Sequence, residues 1–204
     1  ILLLFYEDEE SDAYNVLINN QEFVNLSDGF VNYLVKHYSK DWNLLTKIYN
    51  IDSSKALVLC KPDGEEIDRI YSGSEFKNIS VLLKNYIKNE KTLDDYLGKL
   101  SGAQDNVELL LTIGSKYLDR GKKDLALSYY SKVWNESAGK KPIIPDYPLH
   151  LLALKRLSEN STEIATAFLK FYPNSKYTNL VFLSLADFYI RSENYKQARD
   201  VYDL

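Results

Sequence analysis

The chain has 204 residues, of which 45% are apolar and 26% charged, with a formal net charge of −4. That length accommodates one large or two small domains, and the acidic balance, with no polybasic run, argues against a nucleic-acid partner. No apolar run reaches the roughly 18–20 residues needed to cross a bilayer, and Cys60, the only cysteine, has no partner for an internal disulfide. The first residue, Ile1, lies inside an apolar run and the chain contains no methionine, so a further N-terminal part, a signal peptide included, is expected upstream.

In chain order, Ile1–Tyr6 (ILLLFY) reads as a strand that ends at the acidic loop Glu7-Asp8-Glu9-Glu10. Ser11 or Asp12 is placed to cap a helix whose inner face is Ala13, Val16 and Leu17. Asn20–Val24 reads as a helix or turn, and Phe30–Val35 (FVNYLV) as the third strand. Asp41 is positioned to cap a helix with Leu44, Leu45, Ile48 and Tyr49 as its apolar face. Ala56–Cys60 (ALVLC) is an unbroken apolar run, the pattern of a strand buried on both sides. Pro62-Asp63-Gly64 then makes a turn, and Glu66–Tyr71 leads out as a more polar edge strand. After Gly73 and Ser74, the residues Phe76, Ile79, Leu82, Leu83 and Tyr86 recur at helical spacing.

This order, with Phe5-Tyr6 closing the first strand and Tyr49-Asn50-Ile51 leading to the central one, resembles a thioredoxin fold over residues 1–89. The resemblance implies a redox Cys-x-x-Cys pair at the start of the first helix, but Glu10 and Ala13 stand at those positions. It also implies a cis-proline before the central strand, where Lys55 stands. Thiol chemistry needs a thiolate with a lowered pKa and a second, resolving thiol. The expectation is a thioredoxin-like domain without redox cysteines, in which Cys60 is a small buried core residue.

From residue 90 the pattern is helical throughout. Leu93, Tyr96, Leu97 and Leu100 read as a rigid helical joint. An internal repeat follows. Leu110, Ile113, Gly114 and Tyr117 precede a break at Gly121, and Ala126, Tyr130 and Val133 follow it. Phe182, Leu185, Ala186 and Tyr189, then Tyr195, Ala198 and Tyr202, repeat that order. Ala126 and Ala198 are 72 positions apart (198 − 126), about twice a 34-residue period. Small residues at Gly114/Ala186 and Ala126/Ala198 let helices approach, and neighbouring aromatics fill the gaps. Between the copies, Pro148–Leu157 and Thr162–Phe171 form a middle helix pair that matches the pattern poorly. Pro173-Asn174-Ser175 breaks the chain after that pair, and the longest irregular link, Lys140–Pro145, precedes it.

These spacings resemble tetratricopeptide repeats, with units at 107–138, 146–173 and 179–204. The fold class expected is therefore an α/β thioredoxin-like domain (1–89) followed by an all-α tetratricopeptide-like array (90–204). The final helix runs to the end of the sequence without a solvating cap, so a terminal helix, further repeats or another covering surface is expected there. In tetratricopeptide proteins the first helices of successive repeats line a concave groove. The resemblance places Leu111, Ser115 and Leu118 there in the first copy and Leu183, Asp187 and Ile190 in the last. Exposed leucines on such a face would suit an apolar peptide or protein segment; packing against another part of the protein would use the same face.

No catalytic constellation emerges. The acidic loop lacks the alternating ligand spacing of a calcium site, and its carboxylates suit a helix N-terminus. His37 and His150 have no Cys or His at metal-ligand spacing. Neither a nucleophile elbow nor a glycine-rich phosphate loop is present. Of the seventeen tyrosines, most sit at apolar-face positions, such as Tyr117, Tyr130, Tyr189 and Tyr202, as core filler with a hydroxyl near the rim. The function expected is a non-catalytic scaffold that binds a protein or peptide partner, with no cofactor and no metal. The alternative is a thiol-disulfide oxidoreductase or chaperone-like protein whose working cysteines lie outside these residues. Self-association through the array is a third use of the same fold. The resemblance to bacterial proteins with this domain pairing implies a periplasmic or envelope setting.

Overall fold

A computed structural model describes residues 1–7, 12–51, 56–71, 78–136 and 143–202, apart from the side chains of residues 12, 13 and 16. The expectations that fall on Asp8, Glu9, Glu10, Ser11, Lys55, Gly73, Ser74, Phe76 and residues 140–142 therefore lie outside the described residues. So do those that rest on the Asp12, Ala13 and Val16 side chains. The chain divides into two compact units, Ile1–Ala103 and Gln104–Leu204.

The first unit runs β1 (Leu2–Tyr6), α1 (Asp12–Ile18), α2 (Gln21–Ser27), β2 (Asn32–Lys36), α3 (Lys40–Tyr49), β3 (Ala56–Cys60), β4 (Glu66–Tyr71), α4 (Ile79–Ile87) and α5 (Leu93–Ser101). The strand expected as third is thus second in chain order and begins at Asn32. The four strands form one sheet in the order β2-β1-β3-β4. β1 pairs parallel with β2 and antiparallel with β3, and β3 pairs antiparallel with β4. Every residue of β1 and β3 is buried, as continuous apolar runs require when both sheet faces are covered. Leu2, Leu4, Leu57, Leu59 and Ile70 pack on one face against Leu17, Phe23, Ile79 and Leu83. On the other, Leu3, Phe5, Val35, Val58 and Cys60 meet Trp42, Leu45 and Tyr49 of α3. Ile79 and Leu83 retain no exposure, and each such burial contributes about 1.5–3 kcal/mol.

Two details of α3 differ from expectation. Its N-cap is Ser39, whose hydroxyl accepts the Trp42 N–H at 3.1 Å, and not Asp41. Asp41 instead accepts the Tyr33 hydroxyl at 2.6 Å. The buried-side face is Trp42, Leu45 and Tyr49, whereas Leu44 and Ile48 are exposed. Both sets satisfy helical spacing, and the Phe5–Trp42 edge-to-face contact at 5.7 Å favours the aromatic one.

β4 occupies the edge as expected, yet two of its charged residues are buried. Asp68 has no exposure and Arg69 only 5%. One Asp68 carboxylate oxygen accepts the Arg69 N–H at 2.8 Å, and the other accepts the Leu93 N–H at 3.0 Å, at the first residue of α5. Arg69 donates to Glu66 through Nε at 2.8 Å and also through Nη2, to the Tyr71 hydroxyl at 2.9 Å, and to the Tyr49 carbonyl at 2.7 Å, at the last residue of α3. In the turn before β4, Gly64 has φ +89, a conformation L side chains resist, and its carbonyl accepts the Tyr49 hydroxyl at 2.9 Å.

The second unit is helical: α6 (Val107–Asp119), α7 (Lys123–Glu136), α8 (Asp146–Ser158), α9 (Glu163–Phe171), α10 (Thr178–Arg191) and α11 (Tyr195–Tyr202). Consecutive helices pack as pairs, α6 on α7, α8 on α9 and α10 on α11. α7 also meets α8, and α10 meets both α8 and α9. α8 starts two residues earlier than expected, with Pro148 in its first turn, where no intrahelical donor is lost. The end of the irregular link is anchored: Ile144 is fully buried, and its carbonyl accepts the Tyr172 hydroxyl at 2.8 Å.

Close approach of α6 and α7 depends on Gly114. A Cβ there would lie 2.8 Å from Cε1 of the buried Tyr130 ring, well inside contact distance. Tyr117 and Tyr189 are half-buried, whereas Tyr202 is exposed, its ring edge-on to Phe182 at 5.2 Å. Tyr202 is therefore rim and not core.

α6, α8 and α10 end alike. The residues Gly121 (φ +67), Asn160 (φ +63) and Glu193 (φ +56) are left-handed. Their N–H groups donate to Leu118, Leu157 and Ile190 at 2.8, 3.1 and 3.0 Å, and the following N–H groups of Lys122, Ser161 and Asn194 reach back to Tyr117, Arg156 and Tyr189 at 2.9, 2.8 and 2.8 Å. This paired pattern satisfies the last carbonyls of each helix.

Two stability changes follow. Gly114→Ala should lower the urea-unfolding free energy by about 1–2 kcal/mol, because moving Tyr130 outweighs the helix-propensity gain; unchanged stability would mean that the ring yields freely. Glu193→Gly should raise it by about 1 kcal/mol by relieving a left-handed side-chain conformation, and a loss in the same assay would contradict that geometry.

Candidate functional site

In α6, Leu110, Ile113 and Gly114 are buried, which turns the neighbouring stripe away from the pair. Of the residues assigned to that stripe, Ser115 is exposed, whereas Leu111 and Leu118 are half-buried. In α10, Val181, Leu185 and Ala186 face inward. Leu183 (58%) and Ile190 (46%) are exposed, as is Asp187, and Leu180 (48%) extends the row by one turn. Spacings of three, four and three residues keep 180, 183, 187 and 190 on one side of the helix. The Asp187 carboxylate accepts from Arg191 at 2.7 Å across one turn.

Beside this row, α8 and α10 bound a cleft of about 420 Å³. α8 contributes Leu154, Leu157 and Ser158, and α10 contributes Ser184, Asp187, Phe188 and Arg191. Among the six residues taken from the sequence, Asp187 lines the cleft. Leu183 and Ile190 share its helix and flank it, and Leu111, Ser115 and Leu118 occupy α6 outside it. Sequence reasoning passed over Ser184, Phe188 and Arg191. With Asp187 they recur at i, i+3, i+4 and i+7, so the adjoining stripe was readable, but only knowledge that α8 packs beside α10 gives it a cleft.

Of the remaining chemical groups, Cys60 and His150 are buried, and Tyr49 and His37 are half-buried. Cys60 is buried and free, and burial pushes its thiol above the ordinary range. Tyr49, which also faces Cys60, is raised by burial as well. His37 lies against Tyr38 (3.7 Å) and edge-on to Trp42 (4.6 Å). His150, 4% exposed on α8, lies flat on Tyr177 at 4.0 Å with an interplanar angle of 4°. Its Nδ1 is buried without a hydrogen-bond partner. Among the described residues, no group of three or more His, Cys, Asp or Glu side chains is placed to hold a metal ion, and no helix is long and apolar enough to cross a membrane.

Burial holds the His150 pKa below its ordinary value, with Lys123 acting in the same direction and the backbone of Tyr147 and Asp146 and the Asp146 charge opposing. The folded state thus binds its proton less readily than the unfolded chain. Its contribution to stability is complete above about pH 6.5 and declines as pH falls from there toward the folded-state value. His150→Phe keeps a ring on Tyr177 and removes the titration. Thermal unfolding across that range should show wild type losing more stability than the variant, and parallel profiles would mean that the folded chain takes up the proton freely.

No protein-family model, curated protein or solved structure matches this chain.

Proposed function

We propose that this chain is a non-catalytic interaction protein, in which a thioredoxin-like unit accompanies a tetratricopeptide-like array that binds a protein partner. The sheet order β2-β1-β3-β4 and its one parallel pair support the first part of that reading, as do helices on both faces. Three successive helix pairs support the second, together with the Gly114–Tyr130 contact and the common ending of α6, α8 and α10.

The observation that carries the binding role is the outward row of α10. Leu180, Leu183 and Ile190 leave about half of each side chain in water beside a cleft with mixed lining. Scattered exposed leucines need no explanation, but a row flanked by polar groups has the character of an interaction surface. An apolar segment laid along α10 would cover the row, while Asp187 and Arg191 are available to set its register.

The test is affinity capture from extract of the source organism with the wild-type chain and with a Leu183→Glu/Ile190→Glu variant, beside an insulin-reduction assay on the full-length protein. Both side chains are exposed, so unfolding should be unchanged. A partner captured by wild type and lost by the folded variant, without reductase activity, is the expected outcome. Undiminished capture by the variant would remove α10 from the reading, and reductase activity would favour the oxidoreductase alternative.

A further inference from the structure

The two edges of the first unit's sheet are finished differently. On β4, Asp68, Arg69 and Ile70 are buried, and Asp68 fixes the start of α5 against the strand. On β2, Val35 is the one buried residue, and Asn32, Tyr33, Leu34 and Lys36 are exposed. The β1–β2 ladder opens with Leu2 N–H donating to the Val31 carbonyl and closes with His37 N–H donating to the Tyr6 carbonyl, both at 2.9 Å. In a parallel ladder the odd-numbered residues of this segment therefore bond to β1. The N–H and C=O groups of Asn32 and Leu34 point the other way, toward an edge with no strand among the described residues.

Next to that edge is an apolar cleft of about 250 Å³, lined by Leu4, Leu17, Ile18, Phe23, Leu34 and Leu57 among others. Leu34 and Ile18, each 52% exposed, form its rim. Register places Leu34 beside Leu4, so the open backbone groups and the cleft belong to one surface. The strand NYLVK carries no proline, and its pairing with β1 has no register shift, so neither a proline nor a bulge blunts this edge, and its one charge is Lys36 at one end.

We propose that the β2 edge docks an extended segment of a protein partner with apolar side chains at alternate positions. Donors and acceptors repeat there every second residue, at about 6.6 Å, a period that an extended backbone matches and a helix does not. Every second side chain of the added strand then falls on the Leu34 side, over the cleft. A second copy of β2 fits less well. Paired about Leu34, it would bring Asn32 and Lys36 of that copy to the same face, setting an amide and a charge over an apolar surface.

The experiment uses the whole chain and a capped synthetic octapeptide, Lys-Thr-Val-Thr-Val-Thr-Val-Lys, with amide hydrogen exchange read residue by residue. Saturating peptide should slow exchange at Asn32 and Leu34 by about tenfold or more, equivalent to about 1.4 kcal/mol, and leave Tyr33 and Val35 unchanged. The same peptide N-methylated at every interior residue, which leaves neither edge a donor, should give no slowing. Leu34→Pro removes one outward N–H and keeps the ladder to β1, and it should weaken binding by about tenfold. Leu34→Lys, which changes no backbone group, should weaken it through the cleft. Absence of slowing at millimolar peptide would overturn the proposal, as would equal binding of the N-methylated peptide. Protection of Asn32 and Leu34 in a peptide-free dimer would assign the edge to a second copy and overturn it too.

Discussion

Two adjacent charges on β4 hold the first unit together. Asp68 and Arg69 point to opposite faces of the strand, and each ends on a helix terminus of matching polarity. The Asp68 carboxylate meets the first N–H of α5, and the Arg69 guanidinium meets the last carbonyl of α3. An anion at a helix N-terminus and a cation at a C-terminus both complement the helix dipole. Burying either alone would be costly, and what makes Arg69 tolerable is the Glu66 carboxylate together with the Tyr71 hydroxyl. The result is a sheet with one edge closed by side-chain chemistry and the other left to solvent.

That arrangement also explains which parts of the first unit could be read from sequence. The runs ILLLFY and ALVLC have one satisfactory environment, between two covered faces, and they occupy it. Glu66–Tyr71 was readable as an edge strand, but its charges pointed to solvent exposure. Their burial depends on Leu93 and Tyr49, which are 25 and 20 positions away, a distance that no local pattern spans. In α3, Leu44/Ile48 and Trp42/Leu45/Tyr49 both fit helical periodicity, and the choice between them was made by Phe5 on a strand far upstream.

The helical unit was legible where geometry demanded a particular residue. Gly114 is required by the Tyr130 ring, so it appears as a small residue at a repeated position. The middle pair was faint because Arg156 stands where the other two pairs have Tyr117 and Tyr189; its helix ending is built from Asn160, and that of the third pair from Glu193, instead of glycine. Identical hydrogen bonds thus recur on three unrelated residues, one with no conformational penalty and two that the packing must hold in place. The candidate groove shared this partial legibility. Its α10 half is a row of exposed side chains, while its α6 half contains two leucines already partly enclosed.

Magnitudes decide what the α10 row could do alone. Covering the exposed half of a leucine or isoleucine contributes about 1 kcal/mol, so Leu180, Leu183 and Ile190 together supply about 3 kcal/mol, whereas a micromolar complex needs about 8 kcal/mol beyond the cost of association. The row is therefore insufficient by itself. The difference has to come from groups beside it that can be desolvated with partners, and Ser184, Asp187 and Arg191 in the adjoining cleft are such groups. Arg191 offers several donors in a fixed plane while one is engaged by Asp187. A partner that covers the apolar row and completes the hydrogen bonding of this exposed pair gains from both, and one that offers only an apolar face leaves the pair to solvent. On this reasoning the proposed site discriminates by its polar margin, which also supplies the larger share of the affinity, and the apolar row supplies the rest.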